Sequence, residues 1–169
     1  ALAFTASAHA APLDPALARE VDAIANETLR TSGVPSASIA IVRDGEIAYA
    51  QAYGQARRGV RATTETRYAI GSISKQFTAA AILMLAEDGK LTLDDRIDPY
   101  VPTLTRGRDI TIRQILSHTS GYRDYWPQDF VPGHMQRETN AQATLTRWAR
   151  IPLDYEPGAE YRYSNTGFT

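Results

Sequence analysis

The sequence predicts a mixed α/β (α+β) fold, in which an antiparallel sheet is flanked by helices and accompanied by a mainly helical lobe. Three observations predict it: an amphipathic helical pattern near the start, two strand-like runs around an Asp-Gly turn, and further helical runs in a proline-rich second half. The chain has 169 residues, of which 43% are hydrophobic and 22% are charged. This length and composition are sufficient for one packed domain.

The first element is an amphipathic helix that follows Asp14 and Pro15, a pair typical of a helix start. Gly33 is expected to end it, because glycine accepts the left-handed conformation found after helices. Apolar residues recur between these positions at helical spacing and predict one packing stripe: Leu17, Val21, Ile24 and Leu29.

Two antiparallel strands are expected next, in a hairpin over about residues 37–53. Ala37–Val42 and Glu46–Tyr53 are strand-like, and the Asp44-Gly45 pair between them favours a tight hairpin turn. The polar stretch Gln55–Thr66 lacks periodicity, and we predict a solvated loop there.

A longer helix is predicted from Ser72 to about Asp88, with Gly89 as its C-terminal cap. Because most of its faces are apolar, we expect this helix to be central and buried. The helical lobe is expected over about residues 91–157, with helical runs at Ile112–Leu116 and Asn140–Arg150.

Composition argues against several kinds of partner. A net charge of −1 offers no basic face for nucleic acid, and the longest apolar run, Ala79–Ala86, is much shorter than the about 20 residues that span a bilayer. The chain has no cysteine, which excludes disulfides and thiolate metal sites. The three histidines, His9, His118 and His134, lack metal-ligand spacing. We therefore expect no metal or other cofactor, no nucleic-acid partner and no membrane span.

The opening residues, ALAFTASAHAAP, resemble the end of a secretory signal, with Ala8 and Ala10 at the A-x-A positions. This pattern predicts that residues 1–10 are a signal-peptide remnant and that the mature chain starts near Ala11. The protein would then be periplasmic or secreted. The alternative is a flexible, alanine-rich terminus.

The pentapeptide GSISK places Ser72 and Lys75 three residues apart, so that a helix would present both side chains on one face. A serine hydroxyl needs a base to become a nucleophile, and an uncharged lysine can be that base. The chain has sixteen arginines but only two lysines, Lys75 and Lys90. Because arginine cannot lose its proton, a role that needs a neutral amine is one that arginine could not fill.

A second group of candidate residues, Tyr163, Ser164 and Asn165, follows the Pro157-Gly158 turn. In an extended segment Tyr163 and Asn165 would point to one side, where a phenol can relay a proton and an amide can hold a substrate or a lysine. The alternative is that Tyr163 simply fills a core.

Three segments together resemble serine hydrolases of the class C β-lactamase and D-alanyl-D-alanine carboxypeptidase superfamily, which are similar to penicillin-binding proteins. They are GSISKQFTAA, LSHTSGY at 116–122 and PGAEYRYSNTGF at 157–168. The resemblance implies a β-lactamase/transpeptidase-like fold with Ser72 as the acylated nucleophile and Lys75 as its base or proton-transfer partner. It also implies that Tyr163 is a second proton-transfer group and that Asn165 binds substrate and lysine.

One motif of that superfamily is absent from the 169 residues, namely a Lys or His followed by Thr or Ser and then Gly on a later strand. We therefore expect residues 11–169 to be the N-terminal part of such a domain, and to be inactive alone. The remaining C-terminal strands would come from the same chain or from another chain.

The resemblance implies a serine hydrolase that acts on a peptide, β-lactam or ester carbonyl, with a small-molecule or peptidoglycan-like peptide substrate. A D-alanyl peptidase or β-lactamase is expected, and the alternatives are an esterase of the same fold or a non-catalytic cell-envelope binding protein. Trp126 lies in the loop sequence GYRDYWPQDF and is a candidate substrate-binding residue, although large aromatic side chains are more often core.

Other polar residues have simpler explanations. His118 has serine neighbours, but no G-x-S-x-G turn is present and adjacent side chains rarely face each other, so we interpret it as a hydrogen-bonded structural histidine. Asp94 and Asp95 follow a turn and are interpreted as capping and surface-pairing residues.

Overall fold

The computed structural model describes residues 11–126 and 133–169. The predicted signal-peptide remnant, residues 1–10, lies outside the described residues. The chain divides into two compact units, one ending at Ala69 and the other comprising Ile70–Thr169. Within the described part of the chain, no helix combines the length and apolar character that crossing a membrane requires.

The first unit begins with helix α1, Pro15–Ser32. The Asp14 carboxylate accepts hydrogen bonds from the backbone N–H groups of Ala16 and Leu17, at 2.8 and 3.2 Å, and thereby caps the helix. At the other end Gly33 has a φ of 74° and donates its N–H to the carbonyl of Leu29. Both ends lie where the sequence predicts them.

The sheet of this unit has three antiparallel strands in the order β1-β2-β3: β1 is Ser36–Arg43, β2 is Glu46–Arg57 and β3 is Val60–Arg61. Asp44 and Gly45 have φ values of 52° and 81°, as a type I′ hairpin turn requires. The predicted antiparallel pair is therefore present.

The loop predicted over Gln55–Thr66 is wrong in its first part. Strand β2 continues to Arg57, and Gln55 pairs with Arg61 across a second turn that contains Gly59, at a φ of 76°. Both strands are exposed here, so they carry no alternation of apolar and polar residues, and backbone pairing alone makes them a hairpin.

Two tyrosines of β2 tie the sheet to α1. The hydroxyl groups of Tyr49 and Tyr53 each donate to Asp22 Oδ1 at 2.7 Å. These bonds lower the pKa of the Asp22 carboxyl, because they favour its charged form. The helix is thus anchored to the sheet by polar contacts. Its predicted apolar stripe packs only in part, because Leu17 and Ile24 are 41% and 66% exposed.

The second unit starts with a 3₁₀ turn, Gly71–Ile73, that leads into helix α2, Ser74–Glu87. Gly89 has a φ of 68°, and the N–H groups of Gly89 and Lys90 close the helix on the carbonyls of Ala86 and Leu85. Ser72, predicted as the first helical residue, lies in the tighter turn instead.

The expectation that this helix is buried is wrong for the chain as it stands. No residue of α2 is buried, and Phe77 and Met84 are 67% and 66% exposed. Only one side of α2, which includes Ile82 and Ala86, packs against the core of its unit. Apolar residues on all faces of a helix show that each face is suited to burial. In the described part of the chain, other residues cover only one face of α2.

That core is formed by six buried residues, of which Ile110 and Ala149 are fully inaccessible to solvent: Leu91, Ile97, Ile110, Ile112, Tyr122 and Ala149. Around it lie two short helices, α3 at Ile112–Leu116 and α4 at Ala141–Trp148, and most other described residues between about 91 and 157 lie in turns and loops. A capping box between Thr111 and Gln114 starts α3, and Asn140 caps α4.

The segment 116–122 packs closely against residues 153–158. Gly121 has a φ of 86°, and a Cβ added there would lie 2.4 Å from the carbonyl oxygen of Tyr155. The N–H of Gly158 donates to the Thr119 carbonyl at 2.8 Å, and the N–H of Arg162 donates to the His118 carbonyl at 2.9 Å. These contacts bring residues 162–165 alongside His118.

Candidate active site

Ser72 and Lys75 of the GSISK segment lie within hydrogen-bond distance of each other. Ser72 is in the 3₁₀ turn and Lys75 is in the first turn of α2, which puts Lys75 Nζ 3.2 Å from Ser72 Oγ. Ser72 is exposed and Lys75 is half-buried. The proximity that the three-residue spacing predicts is present.

Tyr163 and Asn165 meet this pair from the far end of the same unit. Tyr163 Oη lies 2.6 Å from Ser72 Oγ, and Lys75 Nζ donates to Asn165 Oδ1 at 2.7 Å. Ser164 points the other way and is buried, with its Oγ accepting from the N–H of Gly167. The alternation expected of an extended segment is therefore present at the site.

Lys75 is the shared neighbour in this cluster. Besides donating to Ser72 Oγ and Asn165 Oδ1, its Nζ lies 5.0 Å from the ring centre of Tyr163 and 5.8 Å from that of Phe168. Among the residues that the structure describes, no carboxylate forms an ion pair with Lys75. The ammonium group of Lys75 therefore contacts aromatic rings and uncharged oxygen atoms.

The phenol of Tyr163 is influenced by opposing effects. Burial raises its pKa, but hydrogen bonds with Lys75 and Ser72 and the positive charge of Lys75 lower it, and the net pKa is below its ordinary value of 10.0. The surroundings of Tyr163 therefore favour its anionic form more than water does.

The ring of His118 packs against the ring of Tyr163. The two rings are 4.5 Å apart between centroids, and His118 Nδ1 accepts from the N–H of Ser164 at 3.2 Å. Burial first, and then the charge of Lys75, lower the pKa of His118. A neutral ring that accepts at Nδ1 carries its proton on Nε2. These contacts agree with its interpretation as a hydrogen-bonded structural histidine.

Asp124 is a site residue that the sequence analysis missed. Its carboxylate accepts from the backbone N–H of Asn165 at 2.9 Å and from Asn165 Nδ2 at 3.2 and 3.1 Å. The sequence offered one signal for it, because an acidic residue lies just after the LSHTSGY segment, in the same loop sequence as Trp126.

Trp126 lies beside a cavity of about 360 Å³ that is also lined by residues of α4 and its flanks, including Arg147 and Trp148. Its backbone N–H donates to Asp124 Oδ1 at 3.2 Å. Its substrate-binding role stays a prediction.

The acidic pair after the turn has structural partners. Asp94 forms a salt bridge with Arg113, with 2.9 Å between Oδ1 and Nε. Asp95 accepts from the N–H and the hydroxyl of Thr92, and these bonds lower its pKa. Within residues 11–126 and 133–169, no group of three or more histidine or acidic side chains could hold a metal ion.

Comparison with known proteins gives relatives across most of the chain. "Protein flp" of Staphylococcus aureus (strain COL) is 32% identical over 158 residues, which is 89% of this chain and 31% of that protein. A protein of Escherichia coli (strain K12), named "Putative D-alanyl-D-alanine carboxypeptidase", is 31% identical over 156 residues, covering 80% of this chain and 36% of that protein. The chain thus spans about a third of the length of these curated relatives.

Solved structures include a similar fold. D-amino acid amidase from Ochrobactrum anthropi SV3, complexed with L-phenylalanine, matches with a TM-score of 0.76 and 27% identity, over 90% of this chain and 44% of that one. This agrees with the mixed α/β architecture that the sequence predicts. A sequence model described as beta-lactamase matches residues 21–169, and the chain therefore belongs to the beta-lactamase family.

Proposed function

We propose that the protein is a serine hydrolase in which Ser72 attacks a carbonyl group and forms an acyl-enzyme. One observation carries the proposal: Ser72 Oγ lies 2.6 Å from Tyr163 Oη and 3.2 Å from Lys75 Nζ. A serine hydroxyl becomes a nucleophile when a neighbouring group takes its proton, and two suitable groups are within reach. Membership of the beta-lactamase family supports the same class of reaction.

In this proposal Tyr163 accepts the Ser72 proton. Lys75, which the sequence analysis offered as an uncharged base, acts instead as an ammonium donor that stabilises the negative charge developing on Ser72 Oγ. An ammonium group has donors only, so Lys75 donates to Asn165 Oδ1 and to Ser72 Oγ. The hydroxyl hydrogen of Ser72 is then left to point at Tyr163. The lowered pKa of Tyr163 increases the fraction of the phenol in its anionic form, which is the form that can accept that proton.

The bond changes follow from this arrangement. Ser72 Oγ bonds to the carbonyl carbon while its proton moves to the Tyr163 phenolate, and the carbonyl oxygen becomes an oxyanion near the N-terminal end of α2. Tyr163 then gives the proton to the leaving nitrogen or oxygen. The bond between that atom and the carbonyl carbon breaks as the carbonyl double bond forms again. In the second half-reaction water attacks the ester carbonyl and gives a proton to the Tyr163 phenolate. The bond between the carbonyl carbon and Ser72 Oγ then breaks, the acid is released, and Tyr163 returns the proton to Ser72 Oγ.

For the substrate we propose an amide or lactam next to a D-amino acid residue, such as a peptidoglycan-like peptide or a β-lactam. The names of the E. coli relative and of the structural neighbour both refer to D-amino acid compounds. These names support D-alanyl peptidase or amidase activity, and the β-lactam alternative is supported by the family.

A labelling experiment tests the reaction class. The intact protein is treated with a fluorescent penicillin and with an activated phosphonate, and its intact mass is measured beside that of Ser72→Ala. We expect one adduct, located on Ser72 and absent from the variant. An adduct with the phosphonate alone would indicate an esterase, and no adduct with either reagent would sink the hydrolase proposal in favour of a binding protein.

We further propose that the protein is exported, to the periplasm or beyond. The support is the A-x-A pattern of Ala8 and Ala10, which belongs to residues outside the described part of the chain. N-terminal sequencing of the protein recovered from the cell envelope or the medium should start near Ala11. Recovery in the cytosol with residues 1–10 intact would contradict the proposal.

A further inference from the structure

Asp124 contacts Asn165 at two different groups. Its Oδ1 accepts from the backbone N–H of Asn165 at 2.9 Å, and both carboxylate oxygens lie within 3.2 Å of Asn165 Nδ2. The hydroxyl of the next residue, Thr166, donates to the carbonyl of Arg123 at 2.7 Å. The loop at 123–124 is thus joined to the Asn165 segment by backbone and side-chain hydrogen bonds.

These contacts determine which way the Asn165 amide faces. An ionised carboxylate only accepts hydrogen bonds, so it binds the NH₂ group of the amide and leaves Oδ1 toward Lys75 Nζ, at 2.7 Å. The reversed amide would place its carbonyl against the carboxylate and its NH₂ against the lysine, and both contacts would be repulsive. Two groups of opposite charge therefore select one of the two amide orientations.

The orientation of the Asn165 amide also affects the hydrogen bonds of the nucleophile. With Oδ1 as its acceptor, Lys75 has a fixed position from which it also donates to Ser72 Oγ, at 3.2 Å. The Ser72 hydroxyl is then free to donate to Tyr163, at 2.6 Å. Each donor in this series depends on the acceptor before it, and the series starts at Asp124.

We propose that Asp124 is a positioning residue that fixes the amide orientation of Asn165 and, through it, the direction of the hydrogen bonds that reach Ser72. The inference rests on the proposed function, because it assigns Asp124 a role in the acylation of Ser72. Asp124 acts through Asn165 and takes no part in proton transfer itself.

Asp124→Asn tests this role because it changes the size of the side chain little. It replaces the carboxylate beside Asn165 with an uncharged amide. We expect the rate constant of acylation by a fluorescent penicillin to fall at least about tenfold in the intact protein. In an Asn165→Ala background the same substitution should have no further effect, because the group it positions is gone. An equal loss in both backgrounds would overturn the proposal.

Asp154→Asn is the matched control. This substitution also removes charge-assisted contacts near the loop, since Asp154 pairs with Arg123 at 2.7 Å and with Arg162 at 3.6 Å, but Asn165 is not among its side-chain partners in the described part of the chain. We expect its acylation rate to stay within about threefold of the unchanged protein. A loss as large as that of Asp124→Asn would mean that general loosening of the loop, and not the amide orientation, explains the effect.

A spectroscopic measurement separates this inference from the proposed function. The chain has three asparagines and Asp124→Asn adds a fourth, so ¹⁵N-asparagine labelling gives few side-chain amide signals, and Asn165→Ala in both backgrounds identifies that of Asn165. We expect Asp124→Asn to move the Asn165 amide protons toward the values of a solvated amide. An unchanged signal would overturn the positioning role even if Ser72 is acylated. A moved signal in a protein that neither the penicillin nor the phosphonate labels would instead sink the hydrolase proposal alone.

Discussion

Ser72 Oγ and Tyr163 Oη lie 2.6 Å apart although 91 positions separate the two residues in the sequence. The contact joins the start of α2 to the segment that follows the Pro157-Gly158 turn. A hydroxyl pair this close can share or exchange a proton.

The first prediction concerns this contact. Tyr163→Phe removes the phenolic oxygen and keeps the ring that packs on His118, so we expect the protein to fold and its acylation rate to fall by about 10²–10⁴-fold. Tyr161→Phe is the control, because Tyr161 is 68% exposed. Stopped-flow fluorescence with a labelled penicillin measures both. A Tyr163→Phe protein that acylates at the normal rate would exclude Tyr163 as proton acceptor.

The second prediction uses the scarcity of lysine. Lys75→Arg keeps a positive charge but replaces a compact ammonium with a planar guanidinium, which cannot make the 3.2 and 2.7 Å contacts in the same geometry. We expect acylation to fall by at least about 100-fold, as for misplacement of a catalytic group. Lys90→Arg, at the only other lysine, should acylate normally. Equal activity of the two variants would mean that charge alone matters.

The third prediction concerns acid stability. Because the pKa of His118 is lowered in the folded protein, the unfolded chain binds a proton on this ring first as the pH falls below the ordinary value of 6.5. Its contribution to stability is therefore complete above that pH and is lost progressively below it. Melting temperatures of the unchanged protein and of His118→Asn, between about pH 5 and pH 8, measure the effect.

Asparagine suits this comparison because it tolerates a left-handed backbone, and His118 has a φ of 57°. We expect the melting temperature of the unchanged protein to fall more steeply with acid than that of the variant. Parallel curves would contradict a neutral, half-buried His118 ring in the folded protein.

The fourth prediction concerns the core of the second unit. Ile110 is fully buried, so Ile110→Ala should cost about 2–5 kcal/mol of unfolding free energy and Ile110→Val about 0.5–1.5 kcal/mol. Ile24→Ala, on the exposed side of α1 at 66% exposure, should change stability by less than about 0.5 kcal/mol. Urea unfolding curves measure all three variants. A similar cost at both positions would show that the core lies elsewhere.

Local signals in the sequence predicted local structure well. Asp14 and Gly33 mark both ends of α1, and Asp44-Gly45 marks the first hairpin turn, because each acts on backbone groups within a few residues. The proximity of Ser72 and Lys75 was predictable for the same reason, since helical spacing fixes it.

Long-range contacts were predictable only through resemblance or not at all. The resemblance put Tyr163 and Asn165 beside Lys75, while the residues alone left Tyr163 as a core candidate. Asp124 carried no local pattern, because its partner Asn165 is 41 positions away. The exposure of α2 was missed because hydrophobicity indicates a capacity for burial and does not specify what supplies the covering surface.

Gly121 has a consequence for how variants of this protein are interpreted. Any side chain at this position would meet the Tyr155 carbonyl oxygen and would also have to adopt a φ of 86°. In a library that samples every amino acid at position 121, we expect selection for activity to return glycine alone. In such a scan the position would be as intolerant of substitution as a catalytic residue. The cause would be the close approach of two backbone segments.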